Sequence, residues 1–174
     1  HVSFYDPPLI AAASPEEICF LAKDSLFRAP LLGMIIRKLN ALPISRGVSD
    51  RKTFKAVLSI LKQNKKVLLF PEGERSLDGV LQNMLPGVGF LMYMSKCDII
   101  PIYLHGVLPM WPRSKALPKL FGGKFICVFG KTIFYKNFDK LDKKEAITAA
   151  SDAMAQELSK LQQWCENGCI GNVP

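Results

Sequence analysis

Val67-Leu68-Leu69-Phe70 runs straight into Pro71-Glu72-Gly73-Glu74-Arg75-Ser76, and this junction constrains the chain more than any other stretch. Consecutive apolar residues without polar alternation suit a strand covered on both faces, inside a sheet. Pro71 and Gly73 stop that strand abruptly, and Glu72, Glu74 and Arg75 put charge at its end. In open α/β sheets, ligands sit outside the carboxyl ends of the strands. The junction is therefore a candidate site. Taken alone, Glu72 and Arg75 read equally well as an ion pair on an exposed loop.

The flanking segments alternate in period. Residues 7–13 (PPLIAAA) predict a short helix, which Asp6 can cap because proline suits the first helical position. Ile18–Ala22 reads as a buried strand. From Pro30 a helix is expected, with Leu31, Met34, Ile35 and Lys38 at helical spacing and cations at Arg28, Arg37 and Lys38. It fits a core helix or an interfacial segment at a lipid boundary about equally. Residues 41–45 read as a short strand ending at Arg46-Gly47. Ser49 can cap a helix with the stripe Phe54, Val57, Leu58, Leu61 and a cationic face at Arg51, Lys52, Lys55 and Lys62. A helix is expected from Pro86, with Val88, Leu91 and Met92 inward, then a buried strand over 99–104 ending at His105-Gly106. Residues 107–123 read as loop or short helices, and 124–134 have strand character. Asp142 caps a last amphipathic helix carrying Ile147, Ala150, Met154, Leu158, Leu161 and Cys165, with Gly168 as its stop. The expectation is an α/β fold with a mixed, largely parallel sheet flanked by helices, in a single domain over residues 1–174.

Charge narrows the partners. The 23 Lys and Arg against 15 Asp and Glu give a net charge of +8, which suits an anionic partner: a phosphate-bearing substrate or a membrane surface. The basic residues are scattered and no zinc-finger or RNA-binding motif is present, so nucleic acid is not expected. Cys19, Cys97 and Cys127 lie in apolar runs. Cys165 and Cys169 are i, i+4 but lack further Cys or His ligands, so free thiols in a reducing compartment are expected, and no metal. No apolar run reaches the ~18–20 residues needed to span a bilayer. The chain starts with His rather than Met, so a preceding segment is expected.

His1 precedes Asp6 by five residues, with Pro7-Pro8 directly after. That spacing puts the two on different faces of a helix, so they can meet only across a turn. A carboxylate on one ring nitrogen fixes the tautomer and leaves the other nitrogen to take a proton. An isolated H-x4-D reads as a surface histidine beside a helix cap. Its company changes that.

Four blocks in order resemble the glycerolipid acyltransferase family, of the lysophosphatidate type. They are His1-x4-Asp6, Ile44-Ser45-Arg46-Gly47, Phe70–Ser76 (Phe-Pro-Glu-Gly-Glu-Arg-Ser against the family's usual Phe-Pro-Glu-Gly-Thr-Arg-Ser), and the apolar block Ile99–Leu104 around Pro101. Phe129–Ile133 is similar to a strand that follows in many members. The resemblance covers residues 1 to about 135. It implies a glycerol-3-phosphate acyltransferase-like fold, catalysis by His1 and Asp6, substrate binding by Arg46, Glu72, Gly73 and Arg75, and an acyl-pocket role for Ile100, Pro101 and Ile102.

Acyl transfer from a thioester to a hydroxyl needs a base and stabilisation of a developing oxyanion. Neutral His1 can take the acceptor's proton while Asp6 orients it and stabilises the imidazolium, an arrangement like a serine-protease triad in which the substrate hydroxyl replaces the serine. Arg46 and Arg75 can pair with phosphate oxygens. Glu72 is expected to position an arginine or bind the acceptor hydroxyl. The expected reaction moves a fatty acyl group from acyl-CoA or acyl-carrier protein, as co-substrate, to a lysophospholipid at the cytoplasmic face of a membrane, with no cofactor. A non-catalytic lipid- or phosphate-binding module and a thioesterase-like hydrolase are the alternatives. Two departures bear on the acceptor. Glu74 replaces threonine, and Met84-Leu85-Pro86-Gly87 stands where many members carry Phe-Lys-x-Gly. Losing that lysine points away from a phosphate monoester and toward lysophospholipids whose phosphate is esterified.

Overall fold

The computed structural model describes residues 1–44, 50–112, 114–115 and 123–174. They form two compact units, residues 1–10 with 70–174, and residues 11–69. In the latter, β1 (Ile18–Lys23) is the middle strand of a parallel sheet, with β2 (Ala41–Ile44) on one side and β3 (Lys66–Leu68) on the other. The β1–β3 ladder ends at the pair Phe20–Leu68, so Leu69 and Phe70 lie beyond it and the expected strand is shorter than its apolar run.

Two helices belong to the same unit. In α2 (Pro30–Lys38), Gly33 and Ile36 are buried among the residues whose side chains are described, and the helix closes on the preceding turn at Gly33. A Cβ at Gly33 would lie 2.5 Å from the Phe27 carbonyl oxygen. Met34 and Ile35 remain exposed, at 53% and 46%, so a wholly core-facing helix is not what forms. In α3 (Asp50–Leu61), the cationic face at Arg51, Lys52 and Lys55 is exposed as expected, whereas of the expected stripe Val57 is buried, Phe54, Leu58 and Leu61 are half-buried, and Ile60, outside the stripe, is buried too.

The other unit is built on α5 (Lys143–Glu166). Asp142 caps it, its Oδ1 accepting from the N–H groups of Lys144 (2.8 Å) and Glu145 (2.9 Å). Its buried stripe is Ala146, Ala150, Met154, Leu158, Leu161 and Cys165. Gly168 follows at φ +83°, its N–H donating to the Cys165 carbonyl, which ends the helix as expected. The stripe packs on Met92 of α4 (Gly87–Ser95) and on Val128 of β5 (Ile126–Phe129). β5 pairs antiparallel with β4 (Ile102–His105). Pro101 has no N–H to give a ladder, so the expected strand over 99–104 splits into a bridge at Ile99–Ile133 and β4 proper. The chain is thus mixed α/β, with a three-stranded parallel sheet and a two-stranded antiparallel one. Among the described residues, no helix is long and apolar enough to cross a membrane.

The α4–α5 contact depends on Gly89. A Cβ there would lie 2.1 Å from the Ile147 carbonyl oxygen and 2.5 Å from Ser151 Oγ. Overpacking of this kind costs about 1–3 kcal/mol, more than alanine's helix propensity returns. Gly89→Ala is expected to lower the urea midpoint with an unchanged slope. An equal or higher midpoint shows that the two helices can separate without cost.

Candidate active site

Pro7 and Pro8 decide what Asp6 does. Neither has an N–H, so a cap at Asp6 finds no donor at the first two helical positions of α1 (Asp6–Ala13). The next amide, Leu9, already donates to the Tyr5 carbonyl at 3.0 Å. The expected helix-capping role is therefore not taken. The carboxylate turns back on the residues before it. Its Oδ2 accepts from the N–H of Val2 (2.7 Å) and of Ser3 (3.0 Å) and lies 2.5 Å from His1 Nδ1. Asp6 is 1% exposed, and its Oδ1 is buried with no hydrogen-bond partner among the described residues. Burial pushes its carboxyl above the usual value of 3.8, against the opposing pull of the Ser3 and Val2 amides, the chain's first nitrogen and Arg75.

His1 is held at every point but one. Its ring lies on Phe70, with centroids 3.7 Å apart and planes at 14°. Its amino group, the N-terminal ammonium of this chain, lies 2.8 Å from both carboxylate oxygens of Glu72. Its carbonyl accepts from the Ser76 N–H at 2.8 Å. Asp6 holds Nδ1. No hydrogen bond reaches Nε2 among the described residues, and the side chain is 15% exposed.

The Phe70–Ser76 segment is shaped for this grip. Gly73 takes φ +75° where its N–H bonds back to the Phe70 carbonyl at 3.1 Å. A Cβ at Gly73 would lie 2.6 Å from Leu85 Cδ1, and the Leu85 N–H donates to the Pro71 carbonyl at 2.8 Å. The stretch that lacks the family's lysine thus packs directly on this loop. Ser76 is buried, and its hydroxyl donates to Asp78 Oδ1 (2.8 Å) and accepts from the Gly79 N–H (3.0 Å).

A second tie reaches the turn from far along the chain. Ser3, fully buried, donates from Oγ to the Trp111 carbonyl at 3.0 Å and accepts from the Tyr5 N–H at 3.2 Å. The Trp111 ring meets Phe4 (4.8 Å) and Tyr5 (5.3 Å). Arg75 lies over the other part of this cluster, its guanidinium carbon 3.5 Å from the Phe4 centroid.

His1, Asp6, Glu72, Gly73 and Arg75 are thus brought together. Arg46 lies outside the described residues, with Ser45 and Gly47. Of the residues assigned to an acyl pocket, Ile100 is exposed, Pro101 is buried with its carbonyl accepting from Gly130, and Ile102 pairs with Phe129 in the antiparallel sheet. His105 ends β4 opposite Ile126, its ring 6.5 Å from that of Tyr103. No group of three or more His, Cys, Asp or Glu side chains that could hold a metal ion occurs among the described residues.

A family model described as Acyltransferase matches residues 1–105. The chain belongs to the acyltransferase family. It is 28% identical over 149 residues to the 1-acyl-sn-glycerol-3-phosphate acyltransferase of Bacillus subtilis (strain 168), covering 85% of this chain and 70% of that protein. It is 29% identical over 112 residues to the enzyme of the same name from Streptococcus pneumoniae (strain ATCC BAA-255 / R6), covering 63% of this chain and 41% of that protein. The crystal structure of the 1-acyl-sn-glycerophosphate acyltransferase PlsC from Thermotoga maritima superposes with a TM-score of 0.67 at 22% identity. That match covers 90% of this chain and 63% of the other. The likeness establishes the fold.

Two residues of this acyltransferase-family site, Ser3 and Trp111, are not singled out by the sequence. Phe70 opens the third matching block, but its stacking on His1 is not read from it. Trp111 lies in a stretch that reads as loop, more than a hundred residues from its partner Ser3.

The buried Asp6 makes a prediction with a definite sign. Its folded pKa is raised, so its contribution to stability is fully present below pH 3.8 and is lost as pH rises through the folded value. Asp6→Asn has no such titration. The unfolding free energy of Asp6→Asn minus that of the wild type should therefore increase as pH rises through this window, then level off. A difference that falls with pH is incompatible with a carboxyl whose pKa burial has raised.

Proposed function

We propose that this chain is an acyltransferase domain that moves a fatty acyl group from an acyl thioester to the hydroxyl of a lysophospholipid, with lysophosphatidate as the first choice of acceptor. The observation that carries this reading is the His1–Asp6 pair, with Nδ1 engaged by a buried carboxylate and Nε2 left without a hydrogen bond among the described residues. Nε2 takes the proton of the acceptor hydroxyl as its oxygen attacks the thioester carbonyl. The tetrahedral oxyanion then collapses, the C–S bond breaks, and the proton passes from Nε2 to the departing thiolate. The ester and the free thiol are the products. A lone buried carboxylate is costly. The imidazolium formed during attack offsets that cost, so the pair favours the transition state over the ground state.

Arg75 supplies the cation for the acceptor phosphate, and Arg46 is its proposed companion. Glu72 acts by fixing the backbone of His1 and through it the base, and Gly73 lets the loop turn. Ile100, Pro101 and Ile102 are the proposed acyl contacts. The donor is acyl-CoA or acyl-carrier protein, and no cofactor or metal is required. The exposed Met34 and Ile35, next to the exposed Arg37 and Lys38, support work at an anionic membrane surface, at its cytoplasmic face.

A second acceptor class has its own support. Leu85 stands at the family's lysine position, packs on Gly73, and brings no charge to the loop. A phosphodiester headgroup carries less charge than a monoester and needs fewer cations.

Thiol release from a long-chain acyl-CoA is expected to require lysophosphatidate and to fall on the order of 10²–10⁴-fold in His1→Ala. If acyl-CoA is silent, the same assay with acyl-carrier protein tests the donor. Release without acceptor makes the chain a hydrolase, whereas lysophospholipid binding with no turnover on either donor makes it a binding module. In Leu85→Lys, the ratio of kcat/KM for lysophosphatidate to that for lysophosphatidylcholine is expected to rise about tenfold, the scale of one added charge-assisted contact. An unchanged ratio removes Leu85 from acceptor selection.

A further inference from the structure

We infer that Phe4 and Trp111 form an aromatic shelf that positions Arg75 for the acceptor phosphate, so that they set acceptor affinity without touching the reacting atoms. The inference rests on the acceptor reading above and adds positioning residues to it. Its basis is geometric. The Arg75 guanidinium carbon lies 3.5 Å from the Phe4 ring centroid, closer than the ~6 Å within which a cation and a ring face attract. Phe4 is in turn backed by Trp111, with centroids 4.8 Å apart and planes at 43°.

The main chain of the shelf is tied down. The Trp111 carbonyl accepts from Ser3 Oγ and from the Phe4 N–H, and its indole N–H donates to the Lys115 carbonyl at 3.2 Å. Ser3 belongs to the turn that presents the base. One segment therefore fixes both the histidine turn and the face on which the arginine lies. A guanidinium on a ring face keeps its in-plane N–H groups directed sideways, the geometry for forked pairing with phosphate oxygens. Arginine has many rotamers, and restricting them beforehand lowers the ordering cost when phosphate binds. An ammonium has no planar fork for the shelf to aim, so its phosphate pairing depends less on the ring. Phe4 is itself 40% exposed, an arrangement explained by a task at the surface of the turn.

The test is a double-mutant cycle of Phe4→Leu and Arg75→Lys, with Phe4→Tyr as the conservative rescue. Each variant is read by equilibrium binding of a short-chain lysophosphatidate and by kcat and KM for that acceptor. Thermal melting checks folding, and Trp111→Phe serves as a second entry to the shelf if Phe4→Leu does not fold. Phe4→Leu is expected to weaken binding and raise KM about three- to tenfold, with the loss in KM rather than kcat. Phe4→Tyr should restore most of it. Combined with Arg75→Lys, Phe4→Leu should add little, because the shelf acts through the guanidinium.

Additive effects in the cycle, or a loss confined to kcat, overturn the shelf. So does a wild type that fails to bind lysophosphatidate at all. A wild type that binds lysophosphatidate but turns over neither thioester donor overturns acyl transfer instead, while the binding cycle still decides the shelf.

Discussion

A carboxylate with almost no exposure is the constraint on which the active-site unit depends. Asp6 must be compensated where it lies, because a charge buried alone costs several kcal/mol. The compensation comes from one oxygen collecting the Val2 amide, the Ser3 amide and the His1 ring. That demand fixes the backbone of the turn. Two consecutive amides, those of Val2 and Ser3, must face one oxygen, and Pro7-Pro8 delay the helix's own claims until Leu9. The geometry of the turn thus follows from solving a burial problem. The ring's Nδ1 is drawn inward to the carboxylate, which leaves Nε2 without a hydrogen bond among the described residues and open to the role proposed for it.

The Phe70–Ser76 loop and the Trp111 segment can be understood as supports for that turn. Phe70 gives the imidazole a flat apolar wall. Glu72 and the Ser76 amide fasten the two ends of the His1 main chain. Ser3, itself buried, needs a partner for its hydroxyl, and the Trp111 carbonyl provides one. The polar contacts pair groups that would otherwise be left unpaired, and the Phe70 ring adds an apolar one. Together they restrict the His1 side chain. Preorganisation of this kind reduces the motion required in the chemical step.

What could be read from the sequence divides along the same physical line. The helix over Lys143–Glu166 was legible because its cap, its stripe and its terminal glycine are local signals that agree. The central strand β1 was legible from its unbroken apolar run, whereas the run over 67–70, which reads as a strand inside a sheet, forms the edge strand β3. The His1–Asp6 pairing was legible only through the resemblance, since their spacing alone also fits a cap. The cap reading of Asp6 overlooked that two prolines leave nothing to cap. The strand over 67–70 came out short because ladder pairing is set by the register with β1, which no local pattern encodes. The inward face of α2 was set by Gly33 closing on Phe27, a packing choice that weights a glycine above two larger apolar residues. The Trp111 contacts were illegible for the plainest reason. They are long-range, and a tryptophan in a proline-rich loop gives no sign of its partner.

The loop also explains which of its positions can vary. Phe70, Glu72 and Ser76 each contact His1, Gly73 occupies a left-handed turn, and Arg75 lies on Phe4. Glu74 is the exposed member of the charged run. A glutamate there in place of threonine adds a negative charge next to Arg75 in sequence. Leu85 packs on Gly73 and donates its N–H to the Pro71 carbonyl. His1 is held by Phe70, Glu72 and Ser76, whereas Glu74 adds a charge beside Arg75 in sequence and Leu85 adds none to the loop. A family that keeps its chemistry while changing its acceptor would be expected to vary at these two positions first.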